Sequence, residues 1–329
     1  MGPGLAMSSH LSQMRTKSYS VLHAMATAAR IAALSWEDYV RVVPRRVMAK
    51  ACFGLALVVH NPDAERRLNA MQKSWGAALF GLYPGMPMFS AVSGWKLLVE
   101  LGWKARLWLQ AVVYAILLEE RAAMSGWDLL TAVLRRSQGV AGGWQHAVAE
   151  LREQFQVPPF DRAAARLAPS KEARRARLRK YRKEIVEPRV FKQTQQEVAE
   201  ERRKTESALY CELHPGRGPV ASTLDGHGWG PETMADYRRW ARLRLLMRVN
   251  GQCPECGALD HTAVHILGHV HARLGAAGAK APEQVTHLLR THVPAGELRR
   301  NVRAVGQTLR GGSDWRWLEA KPPPAQANE

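Results

Sequence analysis

AERRLNAMQKSWGAALFGL, residues 64–82, decides how this chain is built. Ala64, Leu68, Met71, Trp75, Ala78, Leu79 and Leu82 recur at intervals of three and four, while Arg66, Arg67, Asn69, Gln72 and Lys73 fall on the other faces. That period is the signature of an amphipathic helix burying one stripe. The Asn61-Pro62-Asp63 triplet before it is a turn and cap signal. The apolar stripe is core; the basic face meets water or a phosphate backbone.

Working outward, the same helical logic holds on both sides. Arg15 to Leu34 is Ala-rich and free of Pro and Gly, which favours a helix. Ser35 with Asp38 resembles a capping box, and Pro44 interrupts before RRVMAKACFGLALVV. LYPGMP, residues 82–87, is a loop, and the stretch from Ser90 to Glu120 predicts two helices broken near Gly102. Trp95, Trp103 and Trp108 are read as core residues. Shorter helices are expected over Trp127 to Leu134 and Trp144 to Phe155, around a Gly-rich turn at 139–143. No convincing alternating strand occurs in the first 156 residues.

VPPF, residues 157–160, marks a boundary, and beyond it the charge changes. From Arg162 to Lys192 there are twelve Lys and Arg against Glu172, Glu184 and Glu187, so half of the chain's net charge of +18 sits there. A solvated helix face ordinarily mixes its signs, whereas a density of this kind attracts polyanions. It would equally serve as a nuclear localisation patch. The region from Lys192 to Ala208 continues helical, and the Gly and Pro of residues 214–231 form a linker. Short helices are expected at Pro282 to His292 and Ala295 to Leu309, before a disordered KPPPAQANE tail.

Composition bounds the function. The 329 residues, 46% apolar, suit a globular protein, and a pI near 10.3 makes nucleic acid the commonest class of partner. With four cysteines in unlike surroundings there is no disulfide framework. The first residues lack the apolar core of a signal peptide, and residues 51–59 and 107–118 are too short to span a bilayer. The expectation is an intracellular protein of the nucleus or cytoplasm with no membrane partner.

One stretch carries metal chemistry. Cys253 and Cys256 are two residues apart on a turn favoured by Pro254 and Gly257, so both thiolates can reach one tetrahedral ion. His265 and His269, four apart, share one helical face, giving C-x2-C-x8-H-x3-H. The expected cofactor is Zn(2+) held by Cys253, Cys256, His265 and His269, with His261 and His271 as rival fourth ligands. The intervening loop is too short for a ββα finger that reads bases, so a compact knuckle is expected. A catalytic zinc is disfavoured: His261 and His265 are also four apart, but Thr262 stands where a metalloprotease needs Glu.

With these residues in view, the chain resembles the C-terminal part of a non-LTR retrotransposon reverse transcriptase. LNAMQKSWGAALFGLYPGMP followed by VELGW, within Leu68 to Trp103, is similar to the family's thumb and linker region. RLRL, Arg242 to Leu245, leading into CPECG and H-I-L, is similar to its knuckle. In the family the knuckle ends in Cys, where this chain has Val270, so His269 substitutes one residue early or the site has decayed. The family's polymerase needs two adjacent aspartates to hold metal ions, and this chain has no Asp-Asp pair. Some members add an endonuclease; Asp314, Glu319 and Lys321 are too closely spaced to build its metal site.

The resemblance and the charge together imply a mainly α protein. The expected segments are a thumb-like helical domain over 1–156, a basic helical linker over 157–228, a zinc-knuckle module over 229–275, and short helices with the tail over 276–329. The expected function is gripping RNA or DNA without polymerase chemistry, the palm being encoded elsewhere. Lys171, Arg174, Arg175, Arg177, Arg179, Lys180, Arg182 and Lys183 would neutralise phosphates. Arg238, Arg239, Arg242 and Arg244 would add a second patch, and Trp240 either stacks on a base or packs in the core. The competing expectation is a helical protein-interaction module with a structural zinc and no nucleic-acid role.

Overall fold

A computed structural model describes residues 3–31, 42, 45–47, 54–84, 89, 92–124, 142–214, 231–245, 287–291 and 293–310. Its helices are α1 (Pro3–Ile31), α2 (Ala64–Leu79), α3 (Gly94–Leu101), α4 (Leu107–Met124), α5 (Trp144–Gln154), α6 (Arg162–Arg166), α7 (Lys171–Tyr181), α8 (Glu187–Arg203), α9 (Ala208–Leu213), α10 (Pro231–Leu245) and α11 (Ala295–Arg310). Among the described residues there is no strand. None of the described helices is long and apolar enough to cross a membrane. The mainly α expectation therefore holds.

Most helices stand where periodicity places them, including the break near Gly102. Gly102 adopts φ 64° and its N–H reaches the Leu98 and Val99 carbonyls, closing α3 with a left-handed cap that suits glycine. The expected elements over residues 35–38 and 127–134, residues 215–230 of the linker and the tail lie outside the described residues. Residues 282–286 of the expected 282–292 helix do so too.

The chain divides into two units. One comprises residues 1–19, 47–72 and 104–197; the other comprises residues 20–46, 73–103 and 198–329.

In the first unit α4 is the centre, packed against the 3-10 turn Leu55–Val58 and against α5 and α6. Val112, Ile116, Val58 and Val148 are fully buried there. Gln72, assigned by periodicity to a polar face, is instead 5% exposed. Its Nε2 donates to the Ala105 carbonyl at 3.1 Å and its Oε1 accepts from the Leu107 N–H at 2.9 Å. The N-terminus of α4 carries unpaired N–H groups that Gln72 satisfies, together with Thr194, whose Oγ1 accepts from Arg106 N–H. VPPF packs into this unit. Val157 and Phe160 are buried, Phe160 lies 5.0 Å from the Tyr181 ring, and Tyr181 donates to the Pro158 carbonyl at 2.6 Å.

In the second unit α10 packs along α11. Tyr237, Trp240 and Ala241 are buried on α10, and Leu298, Val302 and Val305 on α11, at helical spacing. Gly81 adopts φ 73°, and a Cβ added there would run into the Arg242 guanidinium, whose Nε donates to the Phe80 carbonyl. Gly81→Ala is expected to cost about 1–2 kcal/mol from the left-handed backbone alone. A urea titration checks this; a midpoint equal to that of the parent would refute it.

Candidate nucleic-acid interface

The basic stretch folds as a single helical run, α7 continued by a π turn at Arg182–Val186 into α8. Ser170 starts it, accepting from the Ala173 N–H at 3.0 Å, with Glu172 in the first turn. The π turn has a local cause. Pro188 lacks an N–H, and its ring would meet the Glu184 carbonyl of a regular helix. The wider turn accommodates it, with the Glu187 N–H reaching the Arg182 carbonyl. It also keeps the inner face in phase: Leu178, Tyr181, Val186, Val190 and Thr194 are all buried, and only the interval across the π turn is five.

A carboxylate hub holds this helix in place. Glu120 is fully buried and pairs with Arg152 and with Arg162, the latter at 2.6 Å, while Glu119 pairs with Arg152 at 2.7 Å. Arg152 Nη1 donates to Tyr181 Oη at 3.2 Å, linking the hub to the end of α7. Burial raises the Tyr181 phenol above its ordinary range, against the pull of Arg152. A hub with its charges matched can be buried at small net cost.

Outward from that anchor the expected phosphate contacts separate into two groups. Lys171, Arg175, Arg177, Arg179, Lys180 and Lys183 are exposed, whereas Arg174 and Arg182 are half-buried. Arg182 Nε pairs with Glu187 at 2.6 Å, and its guanidinium lies 5.3 Å from the Tyr114 ring centroid. Lys180 stands 3.9 Å from Glu184.

The second expected patch takes a different form, because none of its four arginines is exposed. Arg239 pairs with Asp236 at 3.2 Å, Arg242 is bound to the Phe80 carbonyl, and Arg238 is half-buried. Arg244 is fully buried, 2.9 Å from the Glu100 carboxylate and 4.6 Å from the Trp240 ring centroid. Its position inside the second unit removes it from the phosphate-binding set. Trp240 is likewise core, its Nε1 donating to the Leu288 carbonyl at 2.9 Å.

Sequence reasoning did not single out the cluster around Arg244. Glu100 accepts from Tyr210 Oη at 2.9 Å, and Lys96, 4% exposed, has its Nζ 5.1 Å from the Tyr210 ring centroid. Burial raises the Glu100 pKa, outweighing the opposing pull of Arg244, Tyr210 and Lys96. Burial also pushes Tyr210 well above the usual phenol range, reinforced by the Glu100 charge. The available signal was a lone acid in the apolar run GWKLLVEL, which demands a buried partner.

The expected zinc ligands Cys253, Cys256, His265 and His269 lie outside the described residues, as do His261, His271, Asp314 and Glu319. Among the described residues no group of three or more His, Cys, Asp or Glu could hold a metal ion.

Comparisons with known proteins add no relative: no family model matches the chain, and no curated protein or solved structure matches it significantly.

Proposed function

We propose that the chain is a nucleic-acid-binding protein that grips RNA or DNA through its basic helix and a zinc knuckle, as the C-terminal region of a retroelement reverse transcriptase would. The observation that carries the reading is the exposed cationic face of α7, braced from behind by the Glu120 hub. Six exposed cations on one continuous helical run make a site of high positive charge density that attracts polyanions. One residue from each stretch behind the resemblance, Glu100 and Arg244, pair with each other inside the second unit.

Zinc fits the donor set of the proposed knuckle, two thiols and two imidazoles, and would fold it as a structural centre. The proposed role excludes polymerase chemistry, because no Asp-Asp pair is present.

Binding is expected to be salt-dependent through counterion release. For six phosphate contacts, affinity for RNA or DNA should fall about a thousandfold between about 50 and 200 mM salt. Fluorescence anisotropy with labelled oligonucleotides measures this. No binding of either nucleic acid at the lower salt would overturn the proposal.

A further inference from the structure

The exposed cations of α7 are not spread evenly round the helix. Lys171, Arg175, Arg179 and Lys183 follow one another at intervals of four, and all four are exposed. Four residues exceed one α-helical turn by about 40°, so Lys171, Arg175 and Arg179 form a gently winding row about 12 Å long, which Lys183 extends into the π turn. None of the four is within ion-pair distance of a carboxylate among the described residues. By contrast Lys180 is near Glu184, and Arg182 is bound to Glu187. Glu172 and Glu184, both exposed, flank the row.

Beside Arg182, the residue before Lys183, lies a second feature. Tyr114 on α4 is 36% exposed, and of the described large apolar side chains only Leu167 is comparably open. The Arg182 guanidinium stands over its ring at 5.3 Å, next in sequence to Lys183. A charged row together with an open aromatic ring combines the two elements by which single strands are held, a track for phosphates and a platform for a base.

We infer that this row binds the backbone of one single-stranded polynucleotide, with a base stacked at Tyr114. The inference rests on the nucleic-acid reading above. Geometry favours a single strand over a duplex. Successive cations are about 6 Å apart along the helix axis. A duplex strand advances only about 3.4 Å per phosphate and winds away round its groove, so a straight row meets one or two phosphates of it. A single strand can extend to match all four. In a duplex the bases also stack on one another, leaving Tyr114 nothing to hold.

The test uses the full chain, with labelled oligouridylate, oligothymidylate and a duplex of equal length, titrated over a range of salt. Replacing Lys171, Arg175, Arg179 and Lys183 together by Ala should lower the single-strand salt slope by about three, at about 0.7 per phosphate. Replacing Arg177, Lys192, Arg203 and Arg300, four other exposed cations, should lower it by less than half as much. Tyr114→Leu should weaken single-strand binding about tenfold and leave the duplex unchanged. Circular dichroism confirms that each variant keeps its helices. A parent that binds no nucleic acid would remove the proposed function, and this inference with it. A binding parent whose slope survives the row substitution would overturn the row alone. Equal losses for duplex and single strand would overturn the single-strand assignment. Equal affinity for the two oligonucleotides supports a contact through phosphate; a preference for oligouridylate lost in the row variant supports RNA as the strand held.

Discussion

Replacing Glu100 by Ala is expected to destabilise the fold by about 3–5 kcal/mol, the range found when one member of a buried ion pair is removed. Glu100 and Arg244 are both fully buried, and Lys96 adds a further buried cation. Without the carboxylate, the fully buried Arg244 guanidinium loses the counter-charge it is paired with. Glu100→Gln, which keeps the shape and an acceptor for Tyr210, should fall between the parent and the Ala variant. Urea unfolding followed by circular dichroism measures both. A cost for Glu100→Ala no greater than that of a surface substitution would show that the pair does not hold the unit together.

The same residue gives a pH signature of definite sign. The Glu100 pKa is raised above 4.5 in the folded chain, by burial first, so the folded state holds this proton more tightly than the unfolded state. Its contribution to stability is fully present below 4.5 and is lost as pH rises through the folded pKa. Most paired carboxylates behave in the opposite way. Unfolding midpoints above pH 4.5 should therefore fall more steeply with pH in the parent than in Glu100→Gln.

What could be read from sequence was whatever depends on local period and charge. The 64–82 pattern, the cap at Asn61 to Asp63, the break at Gly102 and the helical character of the basic run all follow from neighbours a few residues apart. Asn61 Oδ1 accepts from the Asp63 N–H at 2.9 Å, as the turn requires. What could not be read depends on partners far along the chain. Gln72 looks like a solvent-facing residue until Ala105 and Leu107 supply the unpaired groups it binds. Arg244 looks like one more cation of a basic patch until Glu100, 144 positions away, is brought against it. Charge density predicts attraction for polyanions, but only packing decides which cations face outward. That is why α7 keeps five exposed cations, with Lys183 just beyond it, and α10 presents none of its four expected ones.

The largest effect is expected at the knuckle. Purified chain should contain one zinc per molecule, and Cys253→Ser with Cys256→Ser should contain none, as elemental analysis will show. A structural zinc of this donor type carries an apparent binding free energy of about 10 kcal/mol or more, so its loss should unfold the module that it closes. His265→Ala and His269→Ala test the other two positions. The second is decisive, because under the proposed retroelement resemblance Val270 stands where a cysteine would complete the set. Zinc lost in His269→Ala would assign the fourth ligand to the residue one position earlier. Zinc kept there but lost in His261→Ala or His271→Ala would move the ligand to one of those. No zinc in the parent would mean that the site has decayed, and nucleic-acid binding would then rest on the α7 row alone.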